Sequence, residues 1–366
     1  MDQMGHLLTT GLPRHIPGAV VQPVRHPLVR VASRGRLSAV RPAFFADRVI
    51  NRMVLYPWRV ARTVAGRYDV YHVVDHSYAQ LALQLPGQAT IVSCHDVDTF
   101  RSVMRPADEH RGPLFRAMTR RIAAGLRGAR LIVCGSAAAR DDLVRFALAD
   151  PARLRVVPNG IDPALLSPAS AAGAARAAAL LGSRTGVRNL LHVGNDIPRK
   201  RVDRALEIVA ALRARGHSVR LVRAGSPLRP ATRARARELG VQEVVELPFI
   251  ERHVLRAVYE CSDVVLLPSD REGYGLPVVE AFAAGKPVIA SDIPALRETG
   301  GALATLVPPD ARADWVAAVE HVLRAGPDEA GAAARRAYAA SRTWEHHLRG
   351  LVPVYAEILD SRGDAA

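Results

Sequence analysis

Glu272-Gly-Tyr-Gly-Leu-Pro-Val-Val-Glu280 sets two carboxylates eight positions apart around a Gly-x-Gly turn, with Pro277 placed to open a helix. A proline in the first helical turn forfeits no hydrogen bond, because that N–H has no intrahelical partner anyway. The amides around Gly275, Leu276 and Val278 then form the positive end of a helix dipole, a seat that favours phosphate. Glu272 falls in the loop beside this seat, and Glu280 about one turn inside the helix. An acid beside a phosphate is unfavourable unless it accepts hydrogen bonds from something neutral, and sugar hydroxyls meet that need. The spacing therefore predicts one acid for a sugar, one for a ribose and a diphosphate between them. The plainer alternative is a helix whose first turn is acidic because carboxylates stabilise helix N-termini. The flanks favour the first reading. Val264-Val-Leu-Leu-Pro-Ser269 and Gly285-Lys-Pro-Val-Ile-Ala-Ser-Asp292 read as short apolar strands bracketing the turn and helix, the layout of an α/β nucleotide site.

Around this stretch lie 366 residues, enough for two domains with separate cores. No run of eighteen apolar residues predicts a membrane span. Met1-Asp-Gln-Met-Gly-His6 lacks the basic start and apolar stretch of a signal peptide. Cys94, Cys134 and Cys261 are scattered and fit no metal spacing, so a reducing cytoplasm is expected. The basic residues comprise 48 arginines and two lysines, Lys200 and Lys286. In a chain drifting this far toward arginine, a retained lysine marks a position where a compact point charge is preferred to a planar fork. Residues 1–160 carry 23 basic and 11 acidic side chains, against 27 and 24 in residues 161–366. A basic first half fits nucleic acid, an anionic membrane surface, a phosphorylated acceptor or a merely solvated face. Nucleic acid is set aside, since no binding motif is present and few aromatics accompany the arginines. Among functional readings the anionic lipid surface is preferred, and a merely solvated basic face is weighed above it.

Residues 68–79, 89–96, 130–136 and 154–158 read as buried strands with helical patterns between them. Leu114, Met118, Ile122 and Leu126 mark one apolar helix face. A second alternating set follows, with strands near 189–194, 218–224, 243–248, 263–268 and 287–291. Such alternation implies parallel sheets, with ligands beyond the carboxyl ends of strands, where Asp75, His76, His95, Asp96 and Ser136 fall. The Pro-, Ala-, Gly- and Ser-rich stretch 158–187, with one short Ala-rich helix, reads as a linker between a domain at 1–157 and one at 188–340, with a terminal helical segment at 341–366. The chain opens with a helical pattern at His6, Leu7, Leu8 and Leu12, and its first strand candidate is Ala19-Val-Val-Gln-Pro-Val24.

The block Leu267–Ser291, with Val156-Val-Pro-Asn-Gly-Ile-Asp162 and His192-Val-Gly-Asn-Asp-Ile-Pro-Arg-Lys200, resembles the family-4 retaining glycosyltransferases. Glu298-Thr-Gly-Gly301 is compatible with the same family. The resemblance implies the GT-B fold: two Rossmann-like domains whose parallel sheets face a central cleft, with the last helix crossing back to the first domain. It implies that Arg199 and Lys200 neutralise the departing diphosphate, that His95 faces the donor sugar and that Glu272 holds it. Gly194, Gly273, Tyr274, Gly275, Leu276 and Glu280 would bind the donor, with Phe249 and Ile250 near the base, while Asp75 and His76 stand on the acceptor side. Three departures stand out. Asn195 replaces a frequent second arginine, Arg201 replaces the usual asparagine, and the first strand and glycine loop of the family are missing before residue 19. A start assigned too late explains that gap; the other reading is a true loss. Asp96-Val-Asp98 mimics a metal-binding Asp-x-Asp, but that motif belongs to enzymes of a different single-domain design, so no metal or other cofactor is expected.

The resulting expectation is a cytoplasmic, metal-independent transferase, with peripheral attachment at the inner face of the membrane as an added option. It moves a hexose-like sugar from a nucleotide-diphosphate sugar to a hydroxyl acceptor, with retention, in bacterial polysaccharide or glycolipid synthesis. The alternative is a non-catalytic nucleotide-sugar-binding partner in a polysaccharide assembly complex.

Overall fold

The computed structural model describes residues 2–33, 41–182, 185–241, 243–247 and 249–363. It divides into two compact units, Met1–Pro158 with His347–Ala366, and Asn159–His346.

The first unit holds a parallel sheet of β1 (Tyr71–Val73), β2 (Thr90–Cys94), β3 (Leu131–Cys134) and β4 (Leu154–Val156), in that spatial order. Ile91, Val92, Ile132 and Val133 are all buried, the continuous apolar run of strands covered on both faces. The helix Pro113–Gly128 buries Ile122 and Leu126, while Leu114 at its start is 61% exposed. Gly125 lets this helix approach closely, since a β-carbon there would lie 2.0 Å from the Ala79 carbonyl oxygen. The strand expected over 68–79 ends at Val73. The Asp75 carboxylate accepts the Ser77 N–H at 2.7 Å and starts helical turns over His76–Gln84 instead. Residues 19–24 form no strand; the helical pattern before them is the helix Asp2–Gly11, with Leu8 and Leu12 buried.

The last helix, Trp344–Gly363, gives this unit its residues from His347 onward. The Tyr355 hydroxyl lies 2.6 Å from His72 Nδ1, Ser93 Oγ lies 2.8 Å from His72 Nε2, and Arg155 pairs with Glu357 at 2.7 Å. Burial, then the His347 and His95 charges, push His72 down to about 3. In the second unit, burial with Arg223 and Lys200 pushes His192 down to about 4. Both rings are neutral in the folded protein and protonate more readily once unfolded. Their contribution is therefore complete above the unfolded value of 6.5 and is lost as pH falls from there toward 3 to 4. Each adds a slope of about 1.4 kcal/mol per pH unit in that window. Urea unfolding between pH 7 and pH 5 should show a smaller acid loss for His72→Gln than for the parent, and equal losses would count against a buried neutral His72.

The second unit holds a parallel sheet of β5 (Arg188–Val193), β6 (Val219–Ala224), β7 (Val244–Leu247), β8 (Val264–Leu267), β9 (Val288–Ser291) and β10 (Thr305–Val307). Their spatial order is β10-β9-β8-β5-β6-β7. Alternate strand residues feed two cores: Leu190, Leu221, Val264, Leu266 and Ile289 on one face, Leu191, Val222, Val265, Leu267 and Val288 on the other. The chain builds outward from β5 on one side and from β8 on the other, so β5 and β8 flank the switch point, where the loops beyond their carboxyl ends diverge. β10 had no expectation in the sequence. The stretch expected as a linker from 158 to 187 belongs to this unit from Asn159 on. Its helix Ala171–Leu181 buries Ala177 and Leu181 in the same core as Val254 and Val258. The helix is the short Ala-rich one expected in this stretch, since alanine is a strong helix former; the surrounding Pro, Gly and Ser are what suggest a linker.

Candidate active site

The loop after β5 begins at Gly194, with φ at +144°, and tightens into a turn at Pro198–Lys200 before the helix Val202–Ala214. The loop after β8 runs from Pro268 to Gly275 and enters the helix Leu276–Ala283. They meet at the switch point. Lys200 Nζ donates to Glu272 Oε1 at 2.5 Å, Arg199 Nη1 donates to Oε2 at 3.2 Å, and the Ser269 hydroxyl donates to Oε1 at 2.7 Å. Arg199 also donates to the Arg271 carbonyl at 3.0 Å, and the Asp270 N–H donates to the Arg199 carbonyl at 2.8 Å. The Glu272 side chain is only 5% exposed. Burial pushes its pKa up, but the Lys200 and Arg199 charges and the Lys200 and Ser269 hydrogen bonds outweigh that, and the net shift is down. This corrects the sequence-based account of Glu272, in which a neutral partner was needed. In the structure its counter-charges are the two cations expected to face phosphate.

The Gly194 loop is braced from β6. Arg223 is buried and donates to the Gly194 carbonyl at 2.6 Å, and a β-carbon on Gly225 would lie 2.2 Å from the same oxygen. Gly194 itself lies against Lys200, its would-be β-carbon 3.6 Å from Lys200 Cε.

At the helix entrance, Gly275 has φ at +96°, a conformation glycine adopts without strain. Of the amides expected to be free there, that of Val278 already donates to the Gly275 carbonyl at 2.9 Å. Tyr274 is buried in the core, and burial pushes its phenol up to about 12, so its ring packs inward. Leu276 packs against that core. Glu280 is engaged through both oxygens, by the Tyr259 hydroxyl at 2.8 Å and Arg252 Nη1 at 3.2 Å. Burial raises its pKa against the opposing pull of Arg252 and Tyr259. Phe249 and Ile250 part company: Ile250 packs on the core while Phe249 is 98% exposed.

Ser269, Arg252 and Tyr259 were not read from the sequence. Ser269 lay inside the stretch flanking the first carboxylate, and a hydroxyl three residues before a buried acid was the available signal. Nothing local marks Arg252 and Tyr259, which reach Glu280 from the helix Arg252–Glu260.

Arg201 stands in the left-handed region, φ +47° and ψ +51°, anchored to Asp203 at 3.0 Å and Asp270 at 3.1 Å. Asparagine, which the resemblance puts here, tolerates that region; a long side chain does so at a cost. Arg201→Ala and Arg201→Gly lose the same ion pairs and differ only in the β-carbon. The alanine variant should unfold with about 1 kcal/mol less stability in denaturant titration; equal stabilities would remove the strain from the account.

In the first unit, the carboxyl ends of β1 and β2 bring Asp75, His76, His95 and Asp96 together. The His95 N–H donates to His76 Nδ1 at 3.2 Å, and His95 Nε2 lies 3.0 Å from the Val74 carbonyl, which makes Nε2 the protonated nitrogen. His76 Nε2 is 3.7 Å from Asp96 Oδ1, and burial lowers its pKa in spite of the two flanking acids. Asp96 accepts the Asp98 N–H at 3.0 Å.

A family profile described as Glycosyl transferases group 1 matches residues 187–325, and one described as Glycosyltransferase Family 4 matches residues 7–165. The MMP alpha-(1->4)-mannosyltransferase of Mycolicibacterium hassiacum is 30% identical over 324 residues, covering 82% of this chain and 74% of that protein. The chain belongs to glycosyltransferase family 4. Another relative in the family is the D-inositol 3-phosphate glycosyltransferase of Mycolicibacterium gilvum. It is 36% identical over 237 residues, covering 61% of this chain but only 51% of the relative, so the match spans about half of that protein. Among solved structures, the Anabaena protein HepE in complex with UDP-glucose superposes with a TM-score of 0.67 at 19% identity, covering 85% of this chain and 84% of that one. The likeness at that identity establishes the fold, GT-B.

Proposed function

We propose that this family-4 glycosyltransferase moves a sugar from a nucleotide-diphosphate sugar to an acceptor hydroxyl, with retention and without a metal, in polysaccharide or glycolipid synthesis. The observation that carries this reading is the Lys200–Glu272–Arg199 cluster at the switch point of the second sheet. Two preorganised cations stabilise charge as it develops on a departing diphosphate, in a site where little water screens them. Glu272, held ionised, accepts hydroxyls of the sugar, and Glu280 serves the ribose with Tyr259 and Arg252 setting its position. The names of the relatives favour a polar acceptor hydroxyl such as that of a phosphorylated polyol or a sugar, and HepE favours a uridine donor.

Thermal unfolding across a panel of nucleoside diphosphates and nucleotide sugars tests the donor site. A ligand at about 100 times its Kd adds roughly 2.7 kcal/mol, a visible shift. One base should stabilise selectively; no shift with any of them would contradict the reading.

No helix among the described residues is long and apolar enough to cross a membrane. The helices Arg41–Ile50 and Tyr56–Thr63 expose Phe44, Phe45 and Trp58 and carry Arg48, Arg59 and Arg62, which supports peripheral contact with anionic lipid. Co-sedimentation with vesicles containing anionic lipid, but not with purely zwitterionic ones, is the expected result; equal recovery with both would remove the electrostatic part of this reading.

A further inference from the structure

The second sheet has another end. At the amino ends of β5, β8, β9 and β10 lies a cavity of about 560 Å³, walled also by the close of the helix Arg312–Ala325 and by the helix Glu329–Ala340. All six strands run in one direction, so this cavity and the Glu272 cluster occupy opposite ends of the sheet. β5, β8 and β9 have four to six residues each. At about 3.3 Å per residue, roughly 13–20 Å of strand separates the two.

The cavity wall carries Arg188, Lys286, Arg335 and Arg336 against three acids. Each acid has an arginine: Arg188 lies 2.8 Å from Asp263, Arg335 3.5 Å from Asp328 and Arg336 3.8 Å from Glu329. Lys286 is left over. Its ammonium makes no hydrogen bond or ion pair among the described residues, although it is partly buried. Burial pushes its pKa down, with Asp263, Cys261 and Glu260 pulling the other way from beyond bonding distance. A half-buried cation with no bonded acid is available to pair with an anion held in the cavity it lines. The composition points the same way. Only two of the chain's 50 basic residues are lysines, and the candidate active site accounts for just one of them. A lysine is a point charge suited to a phosphate that approaches end-on.

We propose that this cavity is a second anion site, taking a small phosphorylated metabolite of the phosphate-monoester class with Lys286 on its phosphate. The volume lies within the range of about 300–1,000 Å³ that holds small ligands, and so has room for a sugar ring beyond the phosphate. Thr305 and His321 on the same wall offer polar groups to that ring. The helix Leu276–Ala283 starts beside Gly275 and ends three residues before Lys286, so one short element joins the two sites.

The two lysines make a direct test possible in the intact protein. Acetylation by a small amine-reactive reagent, read by peptide mass spectrometry, follows Lys200 and Lys286 separately. Glucose 6-phosphate at ten times its Kd leaves about one site in ten open, so Lys286 acetylation should slow about tenfold while Lys200 is unaffected. Equal protection by inorganic phosphate would overturn the ester assignment, since the sugar ring would then add nothing; weaker protection supports the ester. An unchanged Lys286 rate with both probes overturns the proposal, as does parallel slowing of both lysines, which is the mark of general screening. A nucleoside diphosphate protects Lys200 if the donor reading holds, so the two ideas fail separately.

Discussion

Lys200→Ala lowers the rate of sugar transfer by about two to three orders of magnitude, the effect of removing one preorganised group from a developing oxyanion, and leaves the fold standing. Lys200 sits at 2.5 Å from Glu272 and is the only lysine in the candidate active site of a chain with 48 arginines. Lys200→Arg should recover little, because a planar fork cannot occupy the position of a compact ammonium wedged between Gly194 and Glu272. Nucleoside diphosphate release measures the rate, and a denaturant midpoint checks the fold. Turnover of Lys200→Ala within about fivefold of the parent would remove Lys200 from the chemistry, since it falls far short of the loss of an oxyanion donor.

Glu272→Gln has its largest effect on stability. The substitution leaves Lys200 and Arg199, which are 14% and 16% exposed, without their shared counter-charge. Removing one partner of a buried pair costs about 3–5 kcal/mol, and the variant should lose stability on that order. A nucleoside diphosphate supplies the missing charge, so it should raise the unfolding temperature of the variant more than that of the parent. The pH dependence has a defined sign. Glu272 has a lowered pKa when folded, so its contribution is present above the unfolded value of 4.5 and is lost as pH falls through the folded one. The glutamine variant lacks that acid-side loss. A variant as stable as the parent, with the same ligand shift, would mean that the ion pairs contribute nothing.

Much of this site was legible in the chain. The spacing of Glu272 and Glu280, the position of Pro277 and the apolar runs around them placed a phosphate-type turn between two strands, and β8 and β9 are those strands. Lys200 stands out by composition alone. The identity of Glu272's partners was not legible, because Lys200 and Glu272 lie 72 positions apart and meet only where the strand order reverses. Arg252 and Tyr259 escaped for the same reason, since they reach Glu280 from a neighbouring helix. The burial of the Tyr274 ring was not legible, because a turn residue's backbone can face a ligand while its ring packs into the core. The strand expected over 68–79 stops at Val73, because Asp75, two residues on, caps a helical turn there. A buried apolar run does not register a cap that forms within the same few residues.

The most direct test is proton NMR of the purified protein with the nucleotide sugar selected by thermal stabilisation and with sugar and polyol-phosphate acceptors. The account predicts that nucleoside diphosphate accumulates together with a new glycoside of the donor's anomeric configuration, and that both signals fade in Lys200→Ala. A donor that binds and stays intact beside every acceptor would contradict it and turn the Lys200–Glu272–Arg199 cluster into a binding site without transfer.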